Sequence, residues 1–219
     1  CGTRFSVRIS PKGFCMKLYY SPGACSLSPH IALQEAGVPY ETVLASTSTH
    51  KLPDGTDFHT INALGYVPVL ELDDGTRMTE GPALVQYIAD QAPEKHLAPA
   101  NGTLARYRLQ AWLNFIATEL HKNFGPLFHD MGEKAKTEST ALLTERLKWV
   151  ESQLEGKEYL MGDTYSVADI YFFVASNWCR LTRIDISGMP RILALRQRVM
   201  ARPAVQEALQ AEGLRMPPF

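Results

Sequence analysis

The sequence predicts a small α/β unit over residues 16–92 and an all-α unit over residues 104–219, joined by a linker at 93–103. Three observations predict it. Up to residue 92, short apolar runs broken by Gly and Pro alternate with helical patterns. The stretch from Ala92 to Gly102 is rich in Pro and Ala. Beyond it every apolar repeat has the helical period of about 3.6 residues. With 219 residues and 45 % apolar content, the chain supports one large core or two modest ones.

Residues 1–15 carry Arg4, Arg8 and Lys12 with no acid, and they end where Met16 opens the first strand. They read as a leader outside the fold, non-native or disordered. A short organellar targeting peptide shares this composition, whereas a secretory signal needs an apolar stretch that is missing here. Leu18-Tyr19-Tyr20 reads as a strand, Ser21-Pro22-Gly23 breaks it, and Ser26 to Ala36 reads as a helix. Pro29 is tolerated there because first-turn amides have no intrahelical partner. Gly37-Val38-Pro39 ends the helix, and Tyr40 to Leu44 alternates as a second strand. Ala45 to Asn62 is polar, with a turn signal at Asp54-Gly55, and is expected to hold a short irregular helix. Val67 to Leu72 is a buried strand, Asp73-Asp74-Gly75-Thr76 a hairpin turn, and Arg77 to Thr79 the return strand. Glu80-Gly81-Pro82 then opens a helix to about Gln91. The order β-α-β-α-β-β-α fits a four-stranded mixed sheet flanked by helices.

In the helical half, Leu109, Trp112, Leu113, Ile116, Leu120 and Phe124 form one stripe of a single long helix. Leu142, Leu143, Leu147, Val150 and Leu154 form a second. Ser166-Val-Ala-Asp169 is a capping box in which Asp169 reaches back to the Ser166 amide, and it starts an apolar helix through Leu181. Helices at about Pro190 to Ala201 and Pro203 to Gln210 close the chain. Cys179 and the tryptophans at 112, 149 and 178 read as packing residues.

A net charge of −1 and a pI near 6.7 argue against nucleic acid as a partner. No stretch approaches the roughly 20 apolar residues of a membrane span. Cysteines at 1, 15, 25 and 179 have no paired spacing, so neither a disulfide framework nor a metal site is expected. A reducing, cytoplasmic setting follows.

Two groups carry the chemistry. Cys25 stands at the start of the first helix, where unpaired amides and the positive end of the dipole favour a thiolate over a thiol. On position alone the small buried packing residue is the commoner reading. Asn114, Thr118 and His121, at i, i+4 and i+7, share one face of the long helix. Such a face is either solvated or turned to a ligand.

Taken together, Met-Lys-Leu-Tyr-Tyr-Ser-Pro-Gly-Ala-Cys-Ser-Leu-Ser at 16–28, Val67-Pro68, Thr79-Glu80-Gly81, Trp112-Leu-Asn-Phe-Ile-Ala-Thr-Glu-Leu-His121 and Ser166-Val-Ala-Asp169 resemble a bacterial beta-class glutathione S-transferase. The resemblance spans Met16 to about Leu214. It implies a thioredoxin-like glutathione-binding domain, a helical domain with an electrophile pocket, and a homodimer.

The resemblance also gives residues their roles. Val67-Pro68 is expected to hold a cis bond and to pair its main chain with the cysteinyl backbone of glutathione. Glu80 and Gly81 are expected to hold the γ-glutamyl end, with Gly81 where many relatives have Ser. Asn114, Thr118 and His121 are placed near bound glutathione, where His121 orients or polarises a sulfur or supplies a proton. The glycyl carboxylate is expected at His50, where relatives carry Lys, or at Lys51 beside it. The implied enzyme is cytoplasmic, uses glutathione as co-substrate without a metal, and conjugates its thiol to small apolar electrophiles, a detoxifying reaction. Cys25 adds a thiol–disulfide exchange, and a pocket around Leu127, Phe128 and Trp178 takes the second substrate. A glutathione-dependent isomerase and a non-catalytic carrier or interaction module on the same fold are the alternatives.

Overall fold

The computed structural model describes residues 16–214, so the expected leader at 1–15 lies outside the described residues. Four strands form one mixed sheet: β1 Met16–Tyr20, β2 Tyr40–Leu44, β3 Val69–Glu71 and β4 Arg77–Met78, in the order β2-β1-β3-β4. β1 and β2 run parallel, with Met16 opposite Tyr40, because helix α1 (Leu27–Ala36) carries the chain back across the sheet. β3 is antiparallel to β1, Leu18 facing Leu70, and the Asp73–Thr76 turn returns the chain into β4. The helix expected between the second and third strands is a single 3-10 turn, Phe58–Thr60, capped by Asp57.

The two faces of the sheet separate as the pleat requires. Leu18 and Leu70 enter the main core, whereas Tyr19 and Val69 join Ala45, Phe58 and Val67 in a smaller cluster. α1 is buried along most of its length because it packs against α2 (Gly81–Gln91) and against two helices of the second half, α6 (Val167–Thr182) and α8 (Pro203–Ala211). A helix covered on several sides needs no polar face. The main core therefore runs without a break from Met16 to Leu209.

The second half departs from expectation in one place. The long helix ends as α3 at Leu104–Phe115; one turn of π-helix, Ile116–Leu120, and one 3-10 turn, His121–Phe124, lead into the short α4, Gly125–Phe128. A π-turn widens the helix and frees carbonyls, and the Asn123 amide donates to those of Thr118 (3.1 Å) and Glu119 (3.0 Å). α5 (Glu133–Gln153) buries Leu143, Leu147 and Val150. α6 starts at the capping box, with the Ser166 amide 2.8 Å from Asp169 and the Ala168 amide 3.3 Å from the Ser166 hydroxyl. α7 (Pro190–Met200) and α8 complete the fold. Cys179 and Trp178 are buried, but Trp149 is 43 % exposed, its ring against Trp112 and Phe115.

Candidate functional site

The loop between β1 and α1 is fixed before it reaches Cys25. Gly23 takes a positive φ of 71°, and the Ser26 hydroxyl accepts from the Ser21 amide at 3.1 Å and donates to the Ser21 carbonyl at 3.2 Å. The second half clamps the same loop. Trp178 Nε1–H donates to the Gly23 carbonyl at 2.9 Å, and Glu212 Oε2 accepts from the Gly23 amide at 2.9 Å. Glu212 is itself held by the buried His30, Nδ1 to Oε1 at 2.8 Å.

Cys25 emerges from this loop facing the turn before β3, where its thiol donates to the Val67 carbonyl at 3.3 Å. The Val67-Pro68 peptide bond is cis. The amides of Cys25 and Ser26 draw the thiol pKa down, as a helix start should, but burial outweighs them and the Glu80 charge adds to it, pushing the thiol up to about 12. Burial thus opposes the thiolate expected from position, and in this geometry it favours the protonated sulfur. Cys179, in the core, is likewise pushed by burial to about 11.

Glu80, two residues beyond β4, is the N-cap residue of α2, with φ 67° and ψ 103°, a conformation costly to a residue with a Cβ. Among the described residues, His50, His96 and Arg183 also have positive φ. His96 and Arg183 do so at helix ends, where it is ordinary, whereas His50 and Glu80 are in the segments the sequence assigned to glutathione. Gly81 follows at the first position of α2; a Cβ there would meet nothing closer than the Ser28 hydroxyl at 4.0 Å, so a serine would fit.

Of the three helical residues expected on one face, the structure turns only His121 inward. Its Nδ1 is 2.6 Å from the Tyr171 hydroxyl, and its ring packs on Trp178 at 4.8 Å. Asn114 and Thr118 are exposed, with the Thr118 hydroxyl donating to the Asn114 carbonyl at 3.1 Å. The π-turn between 116 and 120 is the reason: it adds rotation lag, so i+7 no longer falls on the face of i. Burial, with the Lys122 charge second, drops the His121 pKa to about 4, so the imidazole is neutral at pH 7 and is no stored cation. Tyr171, 2 % exposed on α6, is the residue the sequence reading missed. Burial raises its pKa, and so do the charges of Cys25 and Glu80, which places all three in one electrostatic neighbourhood. The only available signal was a Tyr in an otherwise apolar helix.

Beyond His121 the wall is aromatic: Phe124 and Phe128 lie 5.5 and 5.8 Å from Trp178. Phe128 is 46 % exposed, and Leu127 is half-buried beside it. On the other side of the loop, His50 Nδ1 is 3.2 Å from the Gly65 carbonyl, two residues before Val67, while Lys51 is exposed. Among the described residues, no group of three or more His, Cys, Asp or Glu could hold a metal ion.

Comparison with known proteins fits this arrangement. The glutathione S-transferase N-terminal domain profile matches residues 23–91 and the C-terminal domain profile residues 115–203. The chain is 42 % identical to the glutathione S-transferase GstA of Escherichia coli O157:H7, over 91 % of this chain and all of that one. The chain belongs to the glutathione S-transferase family. Among solved structures of the family, BphK, a bacterial glutathione S-transferase crystallised as a ternary complex, is 55 % identical with TM-score 0.89, covering 90 % of this chain and 100 % of that one. The beta-class glutathione S-transferase of Sphingomonas chungbukensis is 46 % identical with TM-score 0.88, over 91 % of this chain and 100 % of that one. In this glutathione S-transferase the four-stranded mixed sheet and the helical second half are those of the family fold.

Proposed function

We propose that this chain binds glutathione along Cys25, Val67, Pro68, Glu80 and Gly81 and conjugates its thiol to apolar electrophiles, with thiol–disulfide exchange at Cys25 as a second, slower reaction. Family membership makes it a glutathione transferase with glutathione as co-substrate. The observation that supports the rest is the half-buried Cys25 thiol 3.3 Å from the Val67 carbonyl, with His121 Nδ1 2.6 Å from the Tyr171 hydroxyl in the same neighbourhood. A thiol of pKa about 12 is a poor nucleophile at pH 7 but a hydrogen-bond donor. It therefore serves conjugation by turning its one S–H from the Val67 carbonyl to the glutathione thiolate, which attacks the electrophilic carbon and expels the leaving group. Neutral His121, oriented by Tyr171, polarises the same sulfur.

Exchange runs when Cys25 loses its proton to solvent. Its thiolate attacks a glutathione disulfide, forms the mixed disulfide and expels the partner thiolate. A second glutathione thiolate then displaces Cys25 and leaves as oxidised glutathione. The electrophile is taken against Leu127, Phe128 and Trp178. His50 or Lys51 meets the glycyl carboxylate, whereas Asn114 on α3 and Thr118 in the π-turn face solvent. On the family resemblance, the protein acts as a cytoplasmic homodimer. No helix among the described residues is long and apolar enough to cross a membrane.

The test compares wild type with Cys25→Ala, using chlorodinitrobenzene for conjugation and a mixed glutathione disulfide for exchange. Conjugation should fall about ten- to a hundredfold, the worth of one hydrogen bond to a charged group, and exchange should vanish. Abolition of both at unchanged glutathione affinity would make Cys25 the nucleophile and overturn the assignment. Light scattering of the purified protein checks the dimer.

A further inference from the structure

Trp178 of α6 stands between the two substrate regions and touches both. Its indole is buried and has a single polar atom, Nε1–H, which can only donate. A buried donor needs an acceptor, and this one reaches the Gly23 carbonyl, 155 residues away in sequence, at 2.9 Å. Gly23 is held from its other side too, its amide donating to Glu212 at 2.9 Å. The chain bends there, at a φ of 71° that suits glycine, and two residues later the Cys25 thiol meets the Val67 carbonyl.

The ring of the same side chain belongs to the other region. The rings of His121, Phe124 and Phe128 lie 4.8, 5.5 and 5.8 Å from it, at interplanar angles of 65°, 82° and 85°. Edge-to-face contacts are the arrangement that ring quadrupoles prefer, and three of them fix the tilt of the indole as well as its place. Phe124 is buried and Phe128 exposed, so this wall runs from the core out to the surface. The indole is rigid, and Nε1 cannot move without the ring. A turn of the side chain that follows a shift on the wall side withdraws the hydrogen bond on the loop side. A buried N–H left without an acceptor costs about 1–3 kcal/mol, which opposes such a turn.

We propose that Trp178 is a positioning residue that gauges the separation of the two substrates, its Nε1–H setting the Cys25 loop and its ring setting the wall against which the electrophile lies. This rests on the reading of the two sites above and deepens it. Attack requires the sulfur and the carbon about 3–3.5 Å apart and aligned, and a 1 Å misplacement can reduce the rate about a hundredfold. A loop and a wall carried by separate side chains would shift independently. On one bicyclic ring they move together.

The test compares wild type with Trp178→Phe, which keeps a ring and removes the donor. A third protein carries benzothienylalanine at position 178, which keeps the bicycle and has sulfur in place of the N–H. Steady-state conjugation of glutathione with chlorodinitrobenzene gives kcat and KM. Alkylation of Cys25 by iodoacetamide at pH 8, followed by peptide mass mapping, reports on the loop without turnover. Both replacements should lower kcat about tenfold and quicken Cys25 alkylation severalfold, with KM for chlorodinitrobenzene within about twofold of wild type. Phe128→Ala should do the reverse, raising that KM severalfold with Cys25 alkylation unchanged. Should Trp178→Phe fail to fold, the benzothienyl protein decides. Wild-type kcat and Cys25 reactivity in the benzothienyl protein would reduce Trp178 to packing and overturn the proposal. A raised KM with kcat unchanged would leave it a wall residue alone and overturn it as well. Failure of S-methylglutathione to bind wild type in a calorimetric titration would instead overturn the glutathione reading beneath.

Discussion

At Cys25 the amides that lower the thiol pKa are outweighed by burial, and at Tyr171 a buried hydroxyl is turned onto His121 Nδ1 at 2.6 Å. Cys25 was legible because Ser21-Pro22-Gly23 separates a strand from a helix, and a side chain at that junction faces a cleft in any such fold. Its protonation was not legible, since the amides that lower the pKa are local while the burial that raises it comes from distant elements. Tyr171 was invisible for the same reason. Within Val167–Thr182 it is one aromatic among Phe172, Phe173 and Trp178, and only the approach of His121, fifty residues away in sequence, gives its hydroxyl a task. Tyr171 positions His121 and touches no reacting atom in this arrangement. Tyr171→Phe should therefore lower kcat for conjugation about tenfold, from one lost hydrogen bond, while KM for glutathione and thermal stability change little. An unchanged kcat would remove Tyr171 from the mechanism, and a rise in KM alone would make it a binding residue.

Elements whose signals are local came through the sequence with little shift. The second strand is Tyr40–Leu44 as read, and the Ser166–Asp169 box opens α6 as read. Where α3 gives way to the π-turn, periodicity misleads, because the apolar stripe continues through Ile116, Leu120 and Phe124 and all three remain buried. What changes is the polar side, and Asn123, which donates to the freed carbonyls, carries no signature in sequence. The capping box has a further consequence. Asp169 accepts from the Leu160 and Ser166 amides, yet burial raises its pKa from 3.8 to about 6. The native state thus binds more protons than the unfolded chain between about pH 4 and 6, and Asp169's contribution to stability falls as pH rises through that window. Asp169→Ala should be destabilising throughout, by about 3 kcal/mol less at pH 7 than at pH 4. Denaturant melts of both proteins at the two pH values measure this. A penalty that grows with pH would mean that the amide hydrogen bonds, rather than burial, govern the carboxyl group.

At the scale of the whole molecule, the two halves are joined by contacts whose partners lie far apart in sequence, and these no sequence reading could place. The core is continuous across α1, α6 and α8, and Arg202 on the approach to α8 forks onto Glu35 of α1, with Nη2 2.9 Å from Oε2. More consequential is the Gly23 clamp, since it acts two residues before Cys25. Glu212, just past α8, joins that helix to both His30 and the Gly23 amide; His30 and Glu212 are buried and Gly23 is half-buried. Removing its carboxylate leaves a buried imidazole and a loop amide without their acceptor, a loss of about 1–3 kcal/mol for each such group. Glu212→Ala should accordingly lower the melting temperature by several degrees. It should also let the Cys25 loop open. Burial is what keeps the thiol protonated, so an opened loop lowers its pKa toward that of an ordinary cysteine, and its alkylation by iodoacetamide near pH 8 should quicken at least tenfold while the Cys179 thiol stays protected. A protein that melts earlier with Cys25 reactivity unchanged would show that the loop is held by Trp178 and Ser26 alone. In that case Glu212 would stabilise the fold without tuning the cleft.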